Sequence, residues 1–195
     1  MARPRSFDAD TVVEDAMQVF WTRGYAATTP QHLVDSLGIG RGSLYNAFGN
    51  KHMLYERALR HYAESQSTRV IEVLERPGSA MERLRAALLL VTEAALAEDG
   101  RRGCMATNAA AELADRDATV TEIVRGIFAR QEMAFDRAIK EGQRTGEIDA
   151  AVNPAGMATL LLAITNGVRV LAKTDPDRGR IHAAVDMALR ALRPA

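Results

Sequence analysis

The stretch with the densest chemistry is residues 28–51, Thr-Thr-Pro-Gln-His-Leu-Val-Asp-Ser-Leu-Gly-Ile-Gly-Arg-Gly-Ser-Leu-Tyr-Asn-Ala-Phe-Gly-Asn-Lys. Thr29 ahead of Pro30 pairs a hydroxyl cap with a first-turn proline, so a helix starts there and Gly38 ends it. A second short helix follows the turn. Leu33, Leu37, Ile39, Leu44 and Phe48 are spaced to pack on one another, which turns Arg41, Gly42, Tyr45 and Asn46 outward. That set suits the major groove of duplex DNA. An arginine pairs bidentately with guanine and an asparagine with adenine, while tyrosine and lysine more often fix register through phosphates. Gly42 and Ala47 are small enough for close approach to bases. The expectation is a helix-turn-helix that reads double-stranded DNA.

Other chemistries lack their minimal parts. Gly38-Ile39-Gly40-Arg41-Gly42-Ser43 is not a phosphate loop, because no strand precedes it, its third glycine is out of register and no Gly-Lys-Ser/Thr follows. His32, His52, His61 and His182 are scattered without Glu-x-x-His or His-Glu-x-x-His spacing, so neither a metal site nor a catalytic base is expected. The single cysteine, Cys104, excludes an internal disulfide and points to a reducing cytoplasm. Arg101 and Arg102 beside it, at a helix start, favour thiolate, although a lone cysteine is more often an inert small hydrophobe. No cofactor is implied. The rival reading is a small all-helical enzyme with an apolar substrate, but it has no nucleophile–base pair. A helical interaction protein whose head no longer binds DNA is a third.

Composition allows a substantial core: 195 residues, 47% of them hydrophobic. Formal net charge is +0, so bulk charge does not support nucleic-acid binding. Locally the balance differs. Between Asp35 and Glu56 there is no acid, while Arg41 and Lys51 lie there, and Arg3 and Arg5 form a basic arm ahead of the first helix. No signal-type segment is seen, and the apolar run at 88–96 is broken by Thr92 and Glu93, so no membrane span is expected.

The elements that must carry these residues read as all-α, about nine helices. The first spans Asp10 to Arg23. Asn50 caps a long fourth helix running toward Glu75, and Ser79-Ala80-Met81-Glu82 opens a fifth that lasts to Asp99. A short helix covers 104–113, and Thr119-Val120-Thr121-Glu122 opens one through Glu141. Asn153-Pro154 and Asp175-Pro176 open the last two, about 154–173 and 176–192. The penultimate helix is apolar on nearly all sides and must be covered all round. Part of that cover is expected from a second copy, together with Ile181, Val185, Ala188, Leu189 and Leu192 of the last helix. In the middle helices, polar Thr92, Asn108, Glu112, Gln131 and Asn166 sit among Leu88, Met105, Phe128, Met133 and Phe135. This is the composition of a small-molecule pocket, and Cys104 lies beside it.

Gly40-Arg41-Gly42-Ser43-Leu44-Tyr45-Asn46-Ala47-Phe48-Gly49-Asn50-Lys51, preceded by Phe20-Trp21-Thr22-Arg23-Gly24-Tyr25 and Thr28-Thr29, resembles the N-terminal signature of the TetR/AcrR family of bacterial transcriptional repressors. The resemblance is strong over roughly residues 7–60; beyond them only the architecture agrees. It implies a three-helix DNA-binding head at 1–52 and an effector-binding and dimerisation domain at 53–195. It further implies that Arg41, Ser43, Tyr45 and Asn46 serve the recognition helix, with Gln31 at the start of helix two and Thr29 and Lys51 as DNA-backbone anchors. The last two helices would form a four-helix bundle with a second copy across a twofold axis. A small-molecule effector would then release a palindromic operator.

Overall fold

The computed structural model describes residues 8–97 and 102–194. Among these residues every regular element is an α-helix: α1 Ala9–Arg23, α2 Pro30–Leu37, α3 Arg41–Phe48, α4 Lys51–Ser65, α5 Arg69–Leu74, α6 Ala80–Leu96, α7 Met105–Leu113, α8 Ala118–Thr145, α9 Pro154–Thr174 and α10 Arg178–Arg190.

Most boundaries follow from side chains that cap orphan backbone groups. Asp8 accepts from Asp10 N–H ahead of α1, and Asn50 Oδ1 accepts from Met53 N–H ahead of α4. Asn153, with Pro154 behind it, opens α9. Three expectations need correction. The long helix from Asn50 toward Glu75 is broken at residues 66–68 into α4 and α5. The break lies in Ser65-Gln66-Ser67-Thr68, where hydroxyls compete for backbone groups: Ser65 Oγ donates to His61 O at 2.8 Å. Helix α8 is opened by Asp117, whose Oδ1 accepts from Val120 N–H at 3.0 Å, rather than by Thr119. Helix α10 starts at Arg178, because Asp177 accepts from Arg180 N–H and Asp175 instead ends α9.

The chain forms two compact units. The first comprises residues 1–65 and 105–124, so α4, α7 and the opening of α8 join α1 to α3. Its core is Met17, Phe20, Leu33, Leu44, Phe48, Leu54, Tyr55 and Leu59, with Phe20 edge-on to Tyr55. The second comprises residues 66–104 and 125–195, with a core of Leu74, Leu84, Leu88, Phe135, Ile139, Leu161, Ile181, Val185 and Leu189 among others.

Helix α9 is long and apolar enough to cross a membrane by length and composition, although no membrane span is expected from the sequence. Its buried face, including Leu161 and Val168, packs within the second unit. The opposite face carries Leu160, Val170 and Leu171 into solvent, and Met187 of α10 is 63% exposed.

Candidate nucleic-acid interface

Two short helices and a glycine turn build the interface. Thr29 opens α2 with a reciprocal cap: its hydroxyl accepts from His32 N–H at 3.2 Å, and its own N–H donates to His32 Nδ1 at 3.3 Å. Histidine thus fills the place of the usual Glu or Gln in a capping box. Gly38 ends α2 in the left-handed conformation (φ 63°, ψ 19°), which glycine adopts at least cost. Leu33, Leu44 and Phe48 are fully buried beneath the two helices.

Above them Arg41, Gly42, Ser43 and Asn46 are exposed and Tyr45 is half-buried, as the spacing predicted. The Arg41 guanidinium lies 6.0 Å from the centre of the Tyr45 ring, so the two outward groups brace each other. A Cβ at Gly42 would meet nothing within 4 Å. The fold itself therefore imposes no need for glycine there. Helix α3 also begins without a side-chain cap at Gly40.

Two expected DNA contacts are turned to other partners. Gln31 is exposed, but its amide donates to Asp35 Oδ1 at 2.7 Å along α2. Lys51 is the larger departure from the expected phosphate anchor. Its ammonium donates to Tyr25 O at 3.0 Å and Thr28 O at 2.9 Å, and stands 4.1 Å from the centre of the Tyr25 ring. Lys51 holds the turn between α1 and α2. Arg3 and Arg5 lie outside the described residues.

That turn, residues 24–28, is held by Thr28 and by side chains distant in sequence. Thr28 is buried and its hydroxyl donates to Gly24 O at 2.6 Å. Glu112 of α7, expected in an effector pocket, accepts instead from Ala26 N–H at 3.0 Å. A Cβ at Gly24 would run into the Glu112 carboxylate, and Gly24 has φ 78° besides. Next to Lys51, His52 Nε2 lies 2.9 Å from Glu56 and 3.3 Å from Asp117. This charge cluster acts on its neighbours. Burial lowers the Lys51 ammonium, opposed by Glu112. Burial, then Glu112, Asp117 and Tyr25, push the Tyr55 phenol far up, and burial with Asp117 raises Tyr25. Both phenols are therefore neutral hydroxyls at ordinary pH. No spacing rule signals such a cluster, because its members are far apart in sequence.

The other residues expected to line an effector pocket divide between the units. Met105 and Asn108 belong with Glu112 in the first; Leu88, Thr92, Cys104, Phe128, Gln131, Phe135 and Asn166 lie in the second. Leu88 and Phe135 are packed into that unit's core. Gln131 is buried and donates to Ser67 O at 3.1 Å, and Asn166 donates to Leu162 O within its own helix. Thr92 is fully buried, and its hydroxyl has no hydrogen-bond partner among the described residues. Cys104 is buried rather than presented to solvent, which removes the access a reactive thiol needs. The expected outward residues of the last helix also need correction. Ile181, Val185, Ala188, Leu189 and Leu192 are all buried within the chain.

Comparison with known proteins agrees with this geometry. The model of the bacterial regulatory proteins, tetR family, matches residues 12–58, and that of the tetracyclin repressor-like C-terminal domain matches residues 80–188. The uncharacterized HTH-type transcriptional regulator YezE of Bacillus subtilis (strain 168) is 29% identical over 193 residues, covering 98% of this chain and 100% of that protein. The HTH-type transcriptional repressor DhaR of Mycobacterium sp. (strain GP1) is 28% identical over 186 residues, covering 94% of this chain and 91% of its own length. A cysteine-substituted form of the TetR family transcriptional regulator CifR, solved with 26-bp double-strand operator DNA, superposes with a TM-score of 0.85 at 30% identity, covering 98% of this chain and 100% of that one. The chain belongs to the TetR family of bacterial regulatory proteins.

Proposed function

We propose that this protein is a ligand-responsive transcriptional repressor that binds a palindromic operator as a homodimer and leaves it when a small molecule binds. The observation that carries the reading is the outward face of α3. Arg41, Ser43 and Asn46 are exposed, and Gly42 is a glycine for which the fold has no steric use. A surface of that kind fits a helix pressed against base edges. The likeness to CifR, solved on its operator, supports the same conclusion. In this reading residues 1–52 carry DNA recognition and residues 53–195 carry effector binding and dimerisation, and the protein works in the cytoplasm on chromosomal DNA.

Dimerisation is supported by the outward apolar residues Leu160, Val170, Leu171 and Met187, which one chain leaves uncovered. Gly156, Ala163 and Gly167 lie at spacings that put them along the same side of α9, letting a partner helix approach closely. Ligand response is supported by the orphan Thr92 hydroxyl, since a buried donor without a partner costs about 1–3 kcal/mol and a bound acceptor would recover it. The test is displacement. Fluorescence anisotropy of a bound operator duplex, titrated with a panel of apolar small molecules carrying one or two hydrogen-bond acceptors, should show release by some members. Those members should lose potency against Thr92→Val. A protein that no member of a broad panel releases, and that binds duplexes without preference, would contradict the reading.

A further inference from the structure

The turn at residues 24–28 joins α1 to α2 and ends one residue before the Thr29 cap, so its orientation sets the angle at which the helix-turn-helix leaves α1. Few of its backbone groups are left to chance. Its carbonyls at Tyr25 and Thr28 accept from the Lys51 ammonium, and its Gly24 carbonyl accepts from Thr28 Oγ1. Its Ala26 N–H donates to Glu112, a residue 86 positions away. Lys51 enters from the element following α3, and Glu112 enters from α7. The same segment makes a second hold, where Asp117 Oδ2 stands 3.3 Å from His52 Nε2 at the start of α4. Residues 112–117 therefore grip the recognition motif on both of its flanks, just before α2 and just after α3.

We infer that Glu112 is a positioning residue for DNA reading: its carboxylate on the Ala26 N–H fixes the pose of α2 and α3. The inference rests on the DNA-binding reading above and does not depend on which small molecule, if any, is the effector. Glycine at position 24 fits this role, because any side chain there would displace the carboxylate from its seat. Glu112 touches neither base nor phosphate in this account. It acts through the turn.

The test compares wild type, Glu112→Ala and Glu112→Gln for binding to a duplex enriched by the wild type and to a scrambled duplex of equal length, with a thermal melt of each protein. Glu112→Ala should lose about tenfold or more in affinity for the enriched duplex, while its affinity for the scrambled one stays within about twofold. Glu112→Gln should restore discrimination, since its Oε1 can accept the same N–H. A folded Glu112→Ala that discriminates as wild type does would overturn the inference, as would equal loss on both duplexes. If Glu112→Ala does not fold, Glu112→Asp takes its place, keeping the charge but drawing it back by one methylene. The inference then expects lost discrimination in a folded protein, and retained discrimination overturns it. Failure of the wild type itself to prefer any duplex would instead sink the DNA-binding reading, and this inference with it.

Discussion

At the scale of single residues, the head separates groups that face outward from groups that hold it together. Arg41 and Asn46 can offer their polar ends to a partner because, among the described residues, no side chain claims them in return, apart from the Tyr45 ring beneath Arg41. Lys51 is the opposite case. With its ammonium on two carbonyls and over an aromatic face, replacement by methionine leaves Tyr25 O and Thr28 O without their charged donor. Hydrogen bonds to charged groups contribute about 1.5–3 kcal/mol, so Lys51→Met is expected to lower the melting temperature and to weaken binding through an unsettled turn. Calorimetry decides between the roles. An unchanged melting temperature with weaker binding to every duplex and a shallower salt dependence would return Lys51 to the phosphate backbone. The type of Lys51 and its place after the second helix were legible in sequence; the direction of its side chain was not. Its partners are main-chain oxygens more than twenty positions away, which no pattern of residue types records.

At the scale of elements, caps were legible because they are local. Thr29, Asn50, Ser79 and Asn153 all accept the expected N–H groups a few residues downstream. The break between α4 and α5 was not recognised, since a hydroxyl-rich stretch weakens a helix without forbidding it. One cap reaches beyond its own helix. The Ser79 hydroxyl donates to Glu147, which also accepts from Met81 N–H at 3.2 Å, tying the start of α6 to the chain just after α8. These bonds, the Ser79 hydroxyl foremost, hold the Glu147 carboxyl at about 2, below its ordinary 4.5. Because the folded value is depressed, the stabilisation is fully present above pH 4.5 and is lost as pH falls from there toward 2. Glu147→Gln should therefore lower the melting temperature at pH 7, and the gap to wild type should narrow steadily below pH 4.5. A gap of constant size across that range would show that the charge of Glu147 contributes nothing. In α9 the sequence showed an all-round apolar helix, but its inner and outer faces needed the fold. Leu161 and Val168 point inward, whereas Leu160, Val170 and Leu171 point outward. Leu161→Glu is expected to unfold the second unit by burying an unpaired charge. Val170→Glu, at 53% exposure, should leave a folded monomer in sedimentation equilibrium. A fully dimeric Val170→Glu protein would move the interface off this face.

At the scale of the whole molecule, the proposal joins an exposed reading helix to a twofold contact. A net charge of +0 gives no general attraction to DNA, so in the proposed dimer affinity comes from the local face of α3, present twice. Two identical heads related by a twofold axis read two inverted half-sites, and half-site spacing follows from the dimer. The most direct measurement is selection of bound duplexes from a random pool by the wild-type protein at moderate salt, followed by the same selection with Arg41→Ala. The account predicts that the wild type enriches an inverted repeat. It also predicts that Arg41→Ala relaxes the preference at one symmetry-related pair of positions, with a loss of about 1–3 kcal/mol on the wild-type site. An enriched pool with no common sequence, or a preference that Arg41→Ala leaves unchanged at every position, would contradict it.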